Sequence, residues 1–401
     1  MQPYRPYLDW IASQQDAMLE MALAWSKINS GSFHLEGLAR MLEAIEAAFL
    51  PLGCEAERLE LAPMASVDEK GHAISVPLGK ALRFRKHPDA PIKVLFTGHM
   101  DTVFPKDHAF QEPVRMDDNT INGPGVTDMK GGIVVMLHAL HALEQSPWAG
   151  EIGWEVLINS DEEIGSIGSA LLLEEGAKRN DFGLTYEPGL PDGTLAGARK
   201  GSGNFTAVVR GRAAHAGRNP EEGRNAIAAL SEFILAINAL NGARDGLTVN
   251  PGSIEGGGPT NVVPDLAICR FNSRMHKPED MQWMETQLQK IVSDINAKDG
   301  ITLELHGGFT RPPKVLTPAN QQLFDLVKAC GTQLGLSLQE KPTGGCCDGN
   351  NLAAHGLPNV DTLGVRGGAI HSSDEFMIID SLSERAQLSA LLLLRLASKE
   401  V

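Results

Sequence analysis

Short apolar runs that end in a polar turn, alternating with segments of helical periodicity, constrain this chain more than any other feature. Lys93-Val94-Leu95-Phe96 runs into Thr97-Gly98, and Trp154-Glu155-Val156-Leu157-Ile158 runs into Asn159-Ser160. A third run, Gly183-Leu184-Thr185-Tyr186, meets Glu187-Pro188. Between the first two, Ile133, Leu137, Leu140 and Leu143 mark one face of a helix that opens near Asp128, and 166–175 reads as another. Apolar strands linked by helices predict a mostly parallel sheet covered on both faces, an α/β fold. Two helices, split at Asn29-Ser30-Gly31-Ser32, are expected ahead of it between residues 9 and 50.

Near Arg199 the texture changes. The order strand 205–209, helix 225–240, strands 247–254 and 266–271, helix 278–295 and strand 301–305 is β-α-β-β-α-β, a ferredoxin-like α+β unit. After Arg311-Pro312-Pro313 the α/β texture resumes, with a helix over 320–334, a Gly/Cys loop, a strand over 360–363 and a leucine-rich final helix. The expected division is therefore 1–198 and 311–401 as one unit, interrupted by 199–310 as an insert.

Charge and cysteine usage exclude several classes. The 401 residues carry 35 Lys and Arg against 50 Asp and Glu, a net charge of -15. A nucleic-acid surface needs a basic stripe, so no nucleic-acid partner is expected. The acidic balance suits small cationic or metal-bearing ligands. Cys54, Cys269, Cys330, Cys346 and Cys347 are odd in number and scattered, which predicts no disulfide framework and a reducing compartment. No apolar stretch nears the ~20 residues of a membrane span, and the N-terminal residues lack a signal-peptide pattern. A cytoplasmic protein without a membrane partner is the expectation.

Polar residues of one chemical kind recur at the strand ends. His99 and Asp101 follow the first strand in Thr97-Gly98-His99-Met100-Asp101. In open α/β sheets ligands sit beyond the carboxyl ends of the strands. Residues i and i+2 of an extended segment point to one side, so the Asp101 carboxylate is expected to reach the second ring nitrogen of His99. Asp128 lies in Gly123-Pro124-Gly125-Val126-Thr127-Asp128-Met129-Lys130-Gly131-Gly132, where it could also serve as a helix N-cap. Glu162 and Glu163 follow the second strand in Ser160-Asp161-Glu162-Glu163-Ile164-Gly165, Glu187 follows the third, and His371 stands in Gly367-Gly368-Ala369-Ile370-His371. Each has an ordinary use alone. Together, two histidines and three or four carboxylates at the rim of one sheet predict a metal pocket. Mixed His and carboxylate donors suit Zn²⁺, with Mn²⁺ or Co²⁺ as alternatives. Five ligands exceed the need of one catalytic zinc and suit two ions with a shared carboxylate.

In this order the motifs resemble the M20 metallopeptidase family, in the group of glutamate carboxypeptidase, aminoacylase, acetylornithine deacetylase and succinyl-diaminopimelate desuccinylase. The resemblance implies a zinc-peptidase-like domain with an inserted lid that also forms a homodimer. It implies that Asp128 bridges two divalent ions, that His99 and Glu187 complete one ion's shell, and that Glu163 and His371 complete the other's. Glu162 would then be the general base toward a hydroxide shared by the ions, and Asp101 would orient His99. His215 would reach the neighbouring subunit's site and polarise the scissile carbonyl, with Asn261 and Arg270 holding the substrate's carboxylate or oxyanion. The implied activity is amide hydrolysis on a small peptide or N-acyl amino acid, as a carboxypeptidase or deacylase. Glu187, a glutamate rather than an aspartate, resembles that branch. A dinuclear aminopeptidase or dipeptidase and a non-catalytic metal-dependent binding protein remain the alternatives. Cys346 and Cys347 depart from the family's more usual serine or threonine and receive no role. His138 and His141 read as a helix face.

Overall fold

A computed structural model describes residues 1–400. Its central sheet has six strands in the order Glu55–Leu59, Ala81–Lys86, Ile152–Asn159, Ile92–His99, Phe182–Thr185, Asn359–Val360. The last four run parallel to one another and the first two are antiparallel additions at one edge. All eight residues of Ile152–Asn159 are buried, as are Val94 to His99. Strands buried on both faces need apolar residues at successive positions, which is why these segments read as continuous runs.

Alternation still sorts the side chains between two layers. Val94, Phe96, Val156 and Ile158 join the core beneath the helices Lys130–Glu144, Ser381–Ser398, Arg5–Ser13 and Gln15–Ser26. Leu95 and Leu157 face the other way, onto Leu173 of the helix Ala170–Arg179 and Leu352 of the helix Asp348–Ala354. Two boundaries differ from the sequence reading. The segment over 9–50 holds three helices, Arg5–Ser13, Gln15–Ser26 and Leu35–Phe49. The strand expected over 93–96 continues through His99, because Thr97 to His99 complete the parallel ladder against Leu157 to Asn159.

The chain then builds a second sheet from Gly201–Arg210, Thr248–Gly256, Leu266–Met275 and Thr302–Arg311, all antiparallel, with the helices Ala226–Asn238 and Pro278–Asn296 on one face. The spatial order puts Thr248–Gly256 at one edge and Thr302–Arg311 at the other. This is the β-α-β-β-α-β pattern. Phe205, Phe233, Phe271, Met284 and Leu288 form its own core under those helices.

At the waist between the two sheets, Arg199 and Lys314 exchange backbone N–H···O=C bonds of 3.0 Å each. Both side chains end on the buried Asp361, with Arg199 Nη2 and Lys314 Nζ each 2.7 Å from its oxygens. A small antiparallel sheet of Gly367–Gly368, Phe376–Ile378, Thr120–Asn122 and Val114–Arg115 carries His371 and leads into the Asp128 loop. Among the described residues no helix is long and apolar enough to cross a membrane.

Candidate metal centre

His99 is the last residue of its strand and is buried. Its Nδ1 lies 3.0 Å from the backbone carbonyl of Asp101. A carbonyl can only accept, so Nδ1 carries the proton and Nε2 presents its lone pair inward. Nε2 stands 3.1 Å from Asp128 Oδ1 and 3.9 Å from Glu187 Oε2. The Asp101 carboxylate also stands near Nδ1, at 3.4 Å, so that both oxygen types of Asp101 face this nitrogen. The carboxylate further accepts the N–H groups of Glu162 and Glu163, each at 3.2 Å, and the hydroxyl of Ser32. Asp101 therefore fixes the loop that carries two more acids.

Asp128 precedes the helix Lys130–Glu144 by two residues and caps nothing. Its two oxygens face different histidines, Oδ1 toward His99 and Oδ2 at 3.3 Å from His371 Nε2. His371 Nε2 also lies 3.2 Å from Glu163 Oε2. The glycines that follow Asp128 have a steric reason. A Cβ on Gly132 would sit 2.1 Å from the carbonyl oxygen of Tyr186, and one on Gly131 would sit 2.3 Å from that of Val126. Only glycine lets the first helical turn approach the Glu187 strand so closely. Glu375, four residues past His371, accepts the N–H groups of Gly125, Thr127 and Asp128 at 2.9 to 3.0 Å and so ties the two ligand segments together.

Electrostatics favour a cation here. Burial pushes the Glu163 carboxyl up to about 8, and burial with the nearby Glu162 lifts Glu187 well above its ordinary range. Burial would also raise Asp128, yet hydrogen bonds with His371 and His99 hold it below the usual carboxylate range. Hydrogen bonds with Asp128 and Glu163 push His371 up to about 11. Glu187 Oε1 is buried without any hydrogen-bond partner. A dry carboxylate oxygen with no donor, beside two imidazoles and three further acids, fits divalent-ion ligation. His99, Asp128 and Glu163 bring one donor atom each within 4.8 Å of one another, and so do His99, Glu162 and Glu187.

Glu162 is buried and points into the same pocket, 4.0 Å from His99 Nε2. Arg311 holds its side chain and its backbone, a partner that the sequence reading missed although Arg311 opens the Arg311-Pro312-Pro313 boundary. Asp128, Glu162, Glu163, Glu187 and His371 all line a cleft of about 520 Å³. Cys346 and the largely buried Cys347 line it too.

Three expected residues lie elsewhere. His215 and Asn261 sit on exposed loops of the second sheet, where His215 bridges to Val262, and neither lines the cleft. Arg270 faces an adjoining cavity of about 860 Å³, which shares Ile164, Asn204, Asn272 and Thr310 with the cleft. It is ion-paired with Glu255 and donates to the carbonyl of Val67 at 3.1 Å.

Comparison with known proteins agrees with this arrangement. Residues 95–395 match the model of peptidase family M20/M25/M40. Carboxypeptidase G2 of Pseudomonas sp. (strain RS-16) is 29% identical over 393 residues, 96% of this chain and 90% of that protein. Succinyl-diaminopimelate desuccinylase of Verminephrobacter eiseniae (strain EF01-2) is 26% identical over 362 residues, covering 86% of this chain and 88% of that protein. In fold, an M20 family metallo-carboxypeptidase from Sulfolobus solfataricus superposes with a TM-score of 0.73 at 19% identity, over 95% of this chain and 99% of that one. With strand ends, ligand-type residues and family model in agreement along the chain, this protein belongs to peptidase family M20/M25/M40 and is a hydrolase of amide bonds.

Proposed function

We propose that the chain is a dinuclear metal-dependent carboxypeptidase or N-acyl-amino-acid deacylase. The observation that carries this reading is the division of Asp128, one oxygen toward His99 and the other toward His371. His99, Glu187 and Asp128 would hold one ion, and Glu163, His371 and Asp128 the other. Zn²⁺ suits this donor set, with Mn²⁺ or Co²⁺ as alternatives. Bound there, the ions supply Lewis acidity and a water of lowered pKa. Glu162 takes a proton from the attacking water and returns it to the leaving amine, in a geometry set by Arg311 and by the Asp101-anchored loop. The names of the relatives, a carboxypeptidase and a desuccinylase, support a substrate with an amide next to a free carboxylate.

The insert over 199–310 acts as a lid and as a dimer interface, the remaining segments, 1–198 and 311–401, forming the catalytic unit. Support comes from the open edge of Thr248–Gly256 and from exposed Ile227, Leu235 and Ile254, at 42%, 70% and 64% exposure. Across such an interface His215 and Asn261 of one subunit approach the other's cleft, and lid closure brings Arg270 toward the substrate. Five free cysteines support a reducing, cytoplasmic setting.

The test compares N-acylated amino acids with dipeptides and free-amine peptides in the metal-loaded protein. Turnover of N-blocked substrates is expected, and turnover of free-amine substrates alone would favour an aminopeptidase. Glu162→Ala should keep its metal and lose about 10²- to 10⁴-fold in rate. Full activity in that variant removes Glu162 from its role.

A further inference from the structure

A second cavity, of about 860 Å³, opens off the metal cleft, and Ile164, Asn204, Asn272 and Thr310 line both. Ile164 directly follows Glu163, so a chain leaving the metal centre past that residue enters this space. One wall is the hairpin of Met64–Val67 and Ala73–Val76, which reaches across to the inserted sheet. All four residues of Met64–Val67 line the cavity, and from the second strand only Ala73 does. Side chains alternate between the faces of a strand, so four consecutive residues meet one space only where the strand presents its edge.

The register shows what that edge offers. The N–H of Asp68 bonds the carbonyl of His72 at 3.0 Å and closes the hairpin. Val67 then stands opposite Ala73, Ser66 opposite Ile74, Ala65 opposite Ser75 and Met64 opposite Val76. Bonded and open pairs alternate in an antiparallel ladder, so Ser66 and Met64 bond across the hairpin while Ala65 and Val67 turn N–H and C=O outward. The carbonyl of Val67 fixes this phase, because it accepts Arg270 Nη2 from the inserted sheet at 3.1 Å. The N–H of Val67 and both main-chain groups of the exposed Ala65 meet no other protein group among the described residues. Arg210 Nη2 bonds the carbonyl of Gly71 at 2.7 Å, and Val67 packs on Val208 and Ile268, so the hairpin is held in place.

The facing wall suits a peptide main chain. Phe205 and Phe271 point to the core under the helices, so alternation turns Asn204, Thr206 and Asn272 to this side, where Asn250 and Ser253 join them. Amide and hydroxyl side chains both donate and accept, as a peptide group requires. No acid lines the cavity, and its one arginine, Arg270, is ion-paired with Glu255. An open strand edge takes an extended peptide as an added strand, through main-chain bonds that ignore side-chain identity. We infer that Ala65 and Val67 form a subsite that binds the substrate's main chain in extended form, away from the scissile amide, so that peptides longer than an N-acyl amino acid are the favoured substrates. The inference rests on the hydrolase reading above.

Blocked alanine peptides test this in the metal-loaded protein. The kcat/KM of acetyl-Ala-Ala-Ala should exceed that of acetyl-Ala about 10-fold or more, the scale of two or three main-chain bonds. Ala65→Pro removes one outward N–H at an edge position, where proline is tolerated, and should lower that ratio about 2- to 10-fold. Ala65→Ser keeps the N–H and should preserve it. Because the ratio is taken within each variant, a general loss of folded protein cancels. Cleavage of both substrates at a ratio near unity by the wild type, or a ratio unmoved in Ala65→Pro, overturns the subsite and leaves the hydrolase reading standing. Dimerisation lost in Ala65→Pro with the ratio unmoved assigns the edge to a second copy instead, and also overturns it. Binding decides without turnover: acetyl-tetraalanine amide should bind at least about 10-fold more tightly than its fully N-methylated form, with the difference reduced in Ala65→Pro. Equal binding of the two by the wild type overturns the inference, whatever the outcome for hydrolysis.

Discussion

Arg311 Nη2 lies 2.7 Å from Glu162 Oε1 and 2.6 Å from the Glu162 carbonyl. The last residue of the Thr302–Arg311 strand therefore grips the proposed base at side chain and main chain together. Both groups are buried, so removing the cation leaves a dry, uncompensated carboxylate, at a cost of about 3–5 kcal/mol. Arg311→Met should lower the unfolding midpoint and reduce kcat more than it raises KM. Arg311→Lys keeps the charge without the fork and should fall between. Unfolding curves with steady-state kinetics check this, and an unchanged kcat in Arg311→Met would show that Glu162 needs no such anchor.

Asp361 ties Arg199 to Lys314 at the waist. Burial raises its carboxyl, but the two cations outweigh that and hold it below the ordinary range. A group with a depressed folded-state pKa contributes stability above its unfolded value of about 3.9, and that contribution is lost as pH falls through the folded value. Asp361→Asn should destabilise the protein at neutral pH by about 3–5 kcal/mol, because two buried cations lose their counter-charge. It should also flatten the acid limb below about pH 4. Urea midpoints measured across pH test both, and equal midpoints at neutral pH contradict the assignment.

Glu375 receives three backbone N–H groups from the Asp128 loop. His371, on the same segment, adopts a φ of 62°, a conformation costing a non-glycine residue about 1 kcal/mol or more. Glu375→Ala frees both segments. Metal affinity should fall about 10- to 100-fold, the usual effect of losing a group that orients ligands, while the rest of the fold persists. Competition with a chromogenic chelator reads the change directly. An unaltered affinity would mean that the loop holds its shape unaided.

Stripping the metals should abolish turnover and lower the unfolding midpoint, since ions that bind only the folded chain stabilise it. Zn²⁺, Mn²⁺ or Co²⁺ added back should restore both. Activity that survives exhaustive chelation would contradict the assignment of the ligands.

Much of the centre was legible because its residues follow strands that declare themselves. Leu95 and Phe96, or Leu157 and Ile158, must be buried on both faces, and the polar residue that ends each run can only stand at the rim. The β-α-β-β-α-β order after Arg199 was legible from the succession of strand-like and helix-like segments. What escaped depends on long-range pairing. Arg311, Glu375 and Asp361 meet partners 149, 247 and 162 positions away, and no local pattern encodes such contacts. The Asp101 carbonyl escaped for another reason. Spacing of two assigns side chains to a face and says nothing of where a backbone oxygen lies.

Elemental analysis of the saturated protein tests the dinuclear centre most directly. The expected content is two divalent ions per chain in the wild type, and less than one in Asp128→Ala, which removes the donor that both ions share. One ion or none in the wild type, or a full complement in the variant, would contradict it.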